Sequence, residues 1–151
     1  MIELDQINTI LTESGPLDEE IVTVARIADD RWMIQFEPII ISLEAEAERN
    51  RLMLMGEIGP VPLDRRDELL SSMLSFGQLW RETGGQQLTL SQADSVATLQ
   101  VLLVGDEIEP RTIVNVAGNL AEQTLLWRAI FAQEAPLPTR RESDIADLIK
   151  I

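Results

Sequence analysis

Apolar residues recur along this chain with two periods, one typical of helices and one typical of strands. Helical spacing predicts a short helix over residues 3–14, a middle helix over Leu63–Trp80 and a long helix over Arg111–Gln133. Gly15-Pro16 ends the first helix and Gly84-Gly85 the second, because both pairs favour turns. The middle helix lies between two groups of strands, so it is expected to cover a sheet face, contact a partner chain, or do both.

Strand-like patterns fill the intervals between these helices. The predicted strands are Ile21–Ala28, a strand over Trp32–Glu46 that is interrupted at Pro38, Arg51–Ile58, Gln87–Leu90 and Val96–Val104. Pro38 interrupts the pattern and predicts a strand that is kinked or lies at a sheet edge. The element order is therefore interpreted as α-β-β-β-α-β-β-α, an α+β fold with a mostly antiparallel twisted sheet packed by helices. Residues 1–133 are expected to form this domain, and residues 134–151 a C-terminal tail.

Several strands carry apolar side chains on both faces. On Arg51–Ile58, Leu52 and Leu54 point one way, whereas Met53 and Met55 point the other. An antiparallel sheet with helices on one face should have a polar second face. Either both faces are covered within the chain, or an apolar surface binds a partner. Flexible thioether side chains suit the second case, and burial in the core explains them equally well.

Composition narrows the classes of function. The net charge of −14 argues against binding to nucleic acids or anionic membranes. Cysteine, histidine and tyrosine are absent, which is compatible with a reducing cytoplasm and removes the usual proton shuttle of enzymes. No apolar run reaches membrane length and no leader pattern opens the chain, so we expect a soluble protein of the cytoplasm.

Two groups of carboxylates are the candidates for chemistry. Glu44, Glu46 and Glu48 stand at every second residue, so a continuous strand would present them together to a metal ion. A solvated strand face explains them better, because metal loops usually add turn glycines and backbone carbonyls. Asp29-Asp30 could serve acid–base catalysis, but adjacent aspartates between strands are typical of turns. We therefore predict no catalytic residue, no metal and no cofactor.

The ordered pieces resemble the class I type III secretion chaperones, the Tir-chaperone-like family. The resemblance spans about Leu4–Ala132 and rests on element order and on local pieces rather than on fixed residues. These pieces are Leu52–Gly59 followed by Pro60 and Pro62, the Asp67–Leu74 helix, the Gly84-Gly85 break, Leu88–Leu90 before the apolar Val96–Val104 strand, and a long helix with Ala121, Glu122 and Trp127.

The resemblance implies a homodimeric, cytoplasmic bacterial chaperone that keeps the N-terminal chaperone-binding segment of an effector extended, soluble and secretion-competent. It implies a dimer interface on the middle helix, at Leu70, Met73, Leu74 and Trp80. It also implies an effector-binding groove built from the first helix and the sheet, with candidate residues Ile7, Leu11, Ile21, Trp32, Ile34, Met53 and Met55. The secretion ATPase is a further candidate partner. The alternative is an acidic nucleic-acid mimic or another non-catalytic binding module.

Overall fold

The computed structural model describes residues 1–133, which form six strands and three α-helices. The helices are α1 (Leu4–Ser14), α2 (Arg66–Phe76) and α3 (Pro110–Ala132). The strands are β1 (Ile21–Ala28), β2 (Arg31–Phe36), β3 (Ile40–Glu46), β4 (Arg51–Pro60), β5 (Gln87–Leu90) and β6 (Val96–Val104). The predicted tail, residues 134–151, lies outside the described residues. No helix within residues 1–133 is both long enough and apolar enough to cross a bilayer.

The strands form one antiparallel sheet in the order β1-β2-β3-β4-β6-β5, which confirms the predicted α+β class. The predicted element order is wrong by one strand, because four strands precede α2. Pro38 lies in a tight turn between β2 and β3, which the Phe36 N–H closes by donating to the Ile39 carbonyl at 2.8 Å. Each of these two strands is hydrogen-bonded to a neighbouring strand on both sides, so Pro38 neither kinks a strand nor marks a sheet edge.

The middle helix is shorter than predicted. Within the predicted Leu63–Trp80, the α-helix covers only Arg66–Phe76 and is flanked by single 3₁₀ turns at Leu63–Arg65 and Gly77–Leu79. Gly77 explains the early end, because glycine costs about 1 kcal/mol relative to alanine inside a helix. Trp80 consequently lies beyond α2 rather than on it.

The core lies between one face of the sheet and the helices. Trp32, Leu43 and Leu54 are neighbours across β2, β3 and β4 on this face, and each is at most 1% exposed. α3 packs on the same face, where Trp127 is fully buried and meets Phe76 of α2 edge to face at 5.6 Å between ring centroids. We call this surface the helix-covered face.

A buried arginine joins the beginning of α2 to the end of α3. Arg65 is 4% exposed, and its Nη1 donates to the carbonyls of Ile130 at 2.9 Å and Gln133 at 2.7 Å. The last carbonyls of a helix lack partners within the helix and carry partial negative charge. Arg65 therefore caps α3, a role that no pattern in the sequence indicated.

Candidate interaction surfaces

The opposite face of the sheet carries apolar side chains that the described residues leave exposed. Ile40 is 48% exposed, Leu102 39% and Val104 45%, while Met33, Met53 and Met55 are half-buried. We call this surface the open sheet face; its residues are Met33, Ile40, Ser42, Glu44, Met53, Met55, Gln100, Leu102 and Val104. The pairing places them together, because partners across antiparallel strands share a face. Of the two explanations for the apolar second faces, residues 1–133 support the second, because they leave this face open to a partner.

A shallow hollow of about 540 Å³ lies on the open sheet face. We call it the Met53 hollow; it is lined by Asp30, Glu44, Ala45, Glu46, Arg51, Met53, Met55, Gln100 and Leu102. Two neighbouring strands, β4 and β6, form the floor. Met53 of β4 pairs with Leu102 of β6, and Met55 pairs with Gln100. The hollow is therefore apolar in its centre and charged along one side.

The charges around the Met53 hollow are largely paired with one another. Glu46 forms ion pairs with Arg51 and with Arg49, the latter at 3.2 Å, and Asp30 lies 3.7 Å from the Arg31 guanidinium. Glu44 makes no ion pair within residues 1–133 at 4 Å or less. Its carboxylate is thus the charge at this hollow that a partner can pair with.

The carboxylate row of the sequence does not form one surface. β3 ends at Glu46, and Glu48 lies in the 3₁₀ turn Ala47–Arg49, so the three side chains are not on a continuous strand. In the part of the chain that the structure describes, no group of three or more acidic residues is arranged to hold a metal ion. Asp29-Asp30 occupies the turn between β1 and β2, as predicted for adjacent aspartates.

A second apolar surface surrounds α2. Leu74 is 80% exposed and Trp80 57%, and both line a hollow of about 470 Å³ together with Met73 and with Leu88 of β5. The Arg81 guanidinium lies over the Trp80 ring at 5.0 Å from its centroid. We call this the α2–β5 surface; three of the four predicted dimer residues, Met73, Leu74 and Trp80, come together here. Leu70, the fourth, is partly buried against the core.

A third surface is the free edge of β1. This strand pairs only with β2, so the described residues leave its other edge available for hydrogen bonding. Val22 is 58% exposed and Ile27 63% along it, and the predicted groove residue Ile21 is half-buried at its start. An edge strand with exposed apolar side chains is suited to strand addition.

Four of the seven predicted groove residues are core residues instead. Ile7, Leu11 and Ile34 are completely buried, and Trp32 is 1% exposed. The apolar stripe of α1 packs directly onto the chain's own helix-covered face, and the Trp32 Nε1 donates to Asn8 Oδ1 at 2.9 Å. The space that the sequence analysis assigned to an effector is therefore filled by the chain itself.

The predicted groove residues do not include five exposed apolar residues of these surfaces. Leu102, Val104 and Ile40 belong to the open sheet face, and Val22 and Ile27 to the β1 edge. Successive side chains of β6 point to opposite faces of the sheet, so the sequence places Leu102 and Val104 on the face opposite to the buried Leu103. No comparable signal distinguished Val22 or Ile27.

The model of the Tir chaperone protein (CesT) family matches residues 21–128, well over half of the chain. This chain belongs to the Tir chaperone protein (CesT) family. Family membership confirms the resemblance stated from the sequence. The match runs from β1 into the last turns of α3, so the open sheet face, the α2–β5 surface and the β1 edge all lie within it.

Two solved structures have a similar fold. A chain of the HopA1–SchA chaperone–effector complex superposes with a TM-score of 0.65 at 17% identity, covering 85% of this chain and 99% of that one. A chain of the ExsC–ExsE complex superposes with a TM-score of 0.68, also at 17% identity, covering 87% of this chain and 97% of that one. No curated protein sequence matches this chain.

Proposed function

We propose that this protein is a homodimeric type III secretion chaperone of the bacterial cytoplasm. It binds the N-terminal chaperone-binding segment of an effector and keeps that segment extended, soluble and ready for secretion, without catalysis. The observation that carries the proposal is that residues 1–133 form a buried core and still expose three separate apolar surfaces, which is typical of sites for protein partners. Membership of the Tir chaperone protein (CesT) family supports it.

The α2–β5 surface is the proposed dimer interface. Leu74 and Trp80 are large apolar side chains in contact with solvent, and a second copy of the same surface would bury them in a two-fold arrangement. Met73 is buried and lines this surface from below, whereas Leu70 is partly buried against the core and would reach the interface from the neighbouring turn of α2. The predicted interface residues are therefore retained in the proposal.

The β1 edge and the open sheet face are the proposed effector-binding surfaces. One part of an extended effector segment adds a strand to β1 beside Ile21, and another part of the segment places apolar side chains on Met53 and Met55 of β4, three strands further into the sheet. The acidic surface attracts basic stretches of the effector and speeds encounter. Ile7, Leu11, Trp32 and Ile34 contribute by holding the sheet in shape rather than by contact.

Light scattering after size exclusion tests the dimer. The wild-type protein should have a mass near twice 16.9 kDa, and the mass should persist at high salt because the interface is apolar. Leu74→Asp should reduce the mass to that of one chain. Leu17→Asp is the matched control, because Leu17 is 51% exposed but lies outside the α2–β5 surface. A monomeric wild-type protein would contradict the proposed dimer.

Co-expression with the products of neighbouring reading frames tests effector binding. One of them should co-purify as a complex of two chaperone chains and one effector, and deletion of the effector's N-terminal region should abolish it. The acidic-mimic alternative instead expects binding to a DNA-binding protein that is lost as salt rises. Its weakness is the exposed apolar area, which a phosphate mimic does not need.

A further inference from the structure

The open sheet face carries three of the five methionines of the chain, namely Met33 of β2 and Met53 and Met55 of β4. The Cα atoms of Met53 and Met55 are about 6.7 Å apart, because the two residues lie two positions apart on one strand. Met33 and Met55 both pair with Ser42 of β3, which places them two strands apart, at about 10 Å. We call these three residues the methionine cluster.

Small solutes can reach the thioethers of the methionine cluster in the folded chain. Met33, Met53 and Met55 are half-buried. Ser42, which stands between Met33 and Met55, is exposed and too short to cover either thioether. Met73 of α2, by contrast, is only 7% exposed and packs in the core. A reagent dissolved in water should therefore react with the cluster before it reacts with Met73.

Oxidation is the reaction to which this surface is suited. The chain contains no cysteine, so no thiol competes with the thioethers for an oxidant such as hydrogen peroxide. The sulfur lone pair attacks one peroxide oxygen, an S–O bond forms and the O–O bond breaks. The proton of the transferred oxygen passes to the departing hydroxide, which leaves as water. Each thioether loses two electrons and becomes a sulfoxide, and the peroxide is reduced.

A sulfoxide changes the polarity of the open sheet face without disturbing the core. The tip of each flexible apolar side chain becomes polar and carries an oxygen that accepts hydrogen bonds. A partner that covers this oxygen without donating to it removes its water, which is unfavourable. The buried side chains of the same strands, such as Leu54, point to the helix-covered face, so their packing stays the same.

We propose that the methionine cluster is a reversible oxidation site, at which hydrogen peroxide lowers the affinity of the open sheet face for apolar partners while the chain stays folded. Methionine sulfoxide reductases reverse the change with electrons from thiols. The inference rests on the proposed function for its consequence, since the partner that is lost would be the effector. The oxidation itself is tested without an effector.

Peptide mapping by mass spectrometry, after treatment of the full chain with hydrogen peroxide, tests the site. Sulfoxides should form at Met33, Met53 and Met55 several-fold faster than at Met73, while circular dichroism retains the signal of the folded chain. Met1 is 73% exposed and should be oxidised as well. An unreacted cluster, or a rate at Met73 equal to that of the cluster, would overturn the inference.

Binding of Nile red, a neutral apolar dye, tests the change in affinity. Oxidation should lower the fluorescence of the bound dye about twofold or more, and methionine sulfoxide reductase with dithiothreitol should restore it. The thiol alters nothing else, because a chain without cysteine has no disulfide.

A variant with Met33→Leu, Met53→Leu and Met55→Leu is the matched control. It keeps an apolar face of similar volume and the oxidisable Met1, so peroxide should leave its dye fluorescence unchanged. Equal losses in the wild-type chain and in this variant would contradict a role for the cluster. Sulfoxides that form in the wild-type chain without any loss of dye binding would contradict it as well.

The effector complex distinguishes failure of this inference from failure of the proposed function. An effector that co-purifies with the untreated chain should bind the oxidised chain about tenfold more weakly. Equal affinity for the two forms would overturn this inference alone. Failure of the untreated chain to form any effector complex would instead remove the proposed function, and the mapping and dye measurements would still decide whether the oxidation site exists.

Discussion

The two faces of one sheet differ in chemistry and in exposure. Along β4, Leu52 and Leu54 point to the helix-covered face and are completely buried, whereas Met53 and Met55 point to the open sheet face and are half-buried. The first two residues are branched aliphatic side chains held in a filled core. The other two are flexible side chains among charged neighbours.

This difference separates folding from binding within a single strand. The helix-covered face is closed by α1 and α3 and supplies the apolar burial that stabilises the chain. The open sheet face contributes little to that burial, so its side chains can contact a partner without any loss from the core. Substitutions on the two faces should therefore affect stability very differently.

Leu54→Ala against Met53→Ala is the strongest test of the comparison. Leu54 is 0% exposed, so removing its side chain should lower the free energy of unfolding by about 2–5 kcal/mol. Met53→Ala should lower it by about 1 kcal/mol or less, because the side chain is already partly solvated. Urea unfolding followed by circular dichroism measures both. Equal losses would show that the two faces are equally important for stability.

Gly56→Ala should have the next largest effect. Gly56 lies on the helix-covered face, where a Cβ atom would collide with the Thr124 hydroxyl of α3. The strain should cost about 1–3 kcal/mol, measured as a lower melting temperature. Adding Thr124→Ala should recover part of the loss. If the double variant is no more stable than expected from additive losses, the close approach of α3 is not the cause.

Asn8→Ala tests the contact between α1 and the sheet. It removes the acceptor for the Trp32 Nε1 and should cost about 1 kcal/mol in denaturant unfolding, because a buried donor is left without its partner. Asn8→Asp is the control, since it keeps an acceptor oxygen at the same place and should retain most of the stability. A loss as large in Asn8→Asp as in Asn8→Ala would contradict a role for this hydrogen bond.

Met33→Gln should have the smallest effect. Met33 lies on the open sheet face next to the buried Trp32, and a polar residue of similar length should change stability by no more than about 0.5 kcal/mol. Thermal unfolding of the two proteins side by side measures it. A loss above about 1 kcal/mol would mean that this face is buried in the folded protein, through a partner or through a second copy.

Much of the secondary structure could be predicted from local patterns. The bounds of β1, β5 and β6 agree with the prediction, because alternating or continuous apolar runs are bounded there by turn residues. The long C-terminal helix differs by one residue at each end. Apolar spacing was insufficient at Pro38, where a tight turn joins two paired strands, and at Gly77, where glycine ends α2 although the apolar spacing continues to Trp80.

The candidate site was harder to predict than the fold. Helical spacing correctly grouped Leu74 with Met73, but it could not tell which of the two remains in solvent. Ile7 and Trp32 were apolar residues at plausible positions for a groove, and the structure buries both. Apolar character alone does not distinguish a core residue from a residue that binds a partner.

By itself, the sequence determined which residues share a face, because the periods of helices and strands follow directly from backbone geometry. It thereby predicted that Met53 and Met55 oppose Leu52 and Leu54. Only the tertiary structure decided which of these faces α1 and α3 cover, and where Arg65 finds its partners. Those outcomes depend on contacts between segments far apart in the chain, and such contacts leave no period in the sequence.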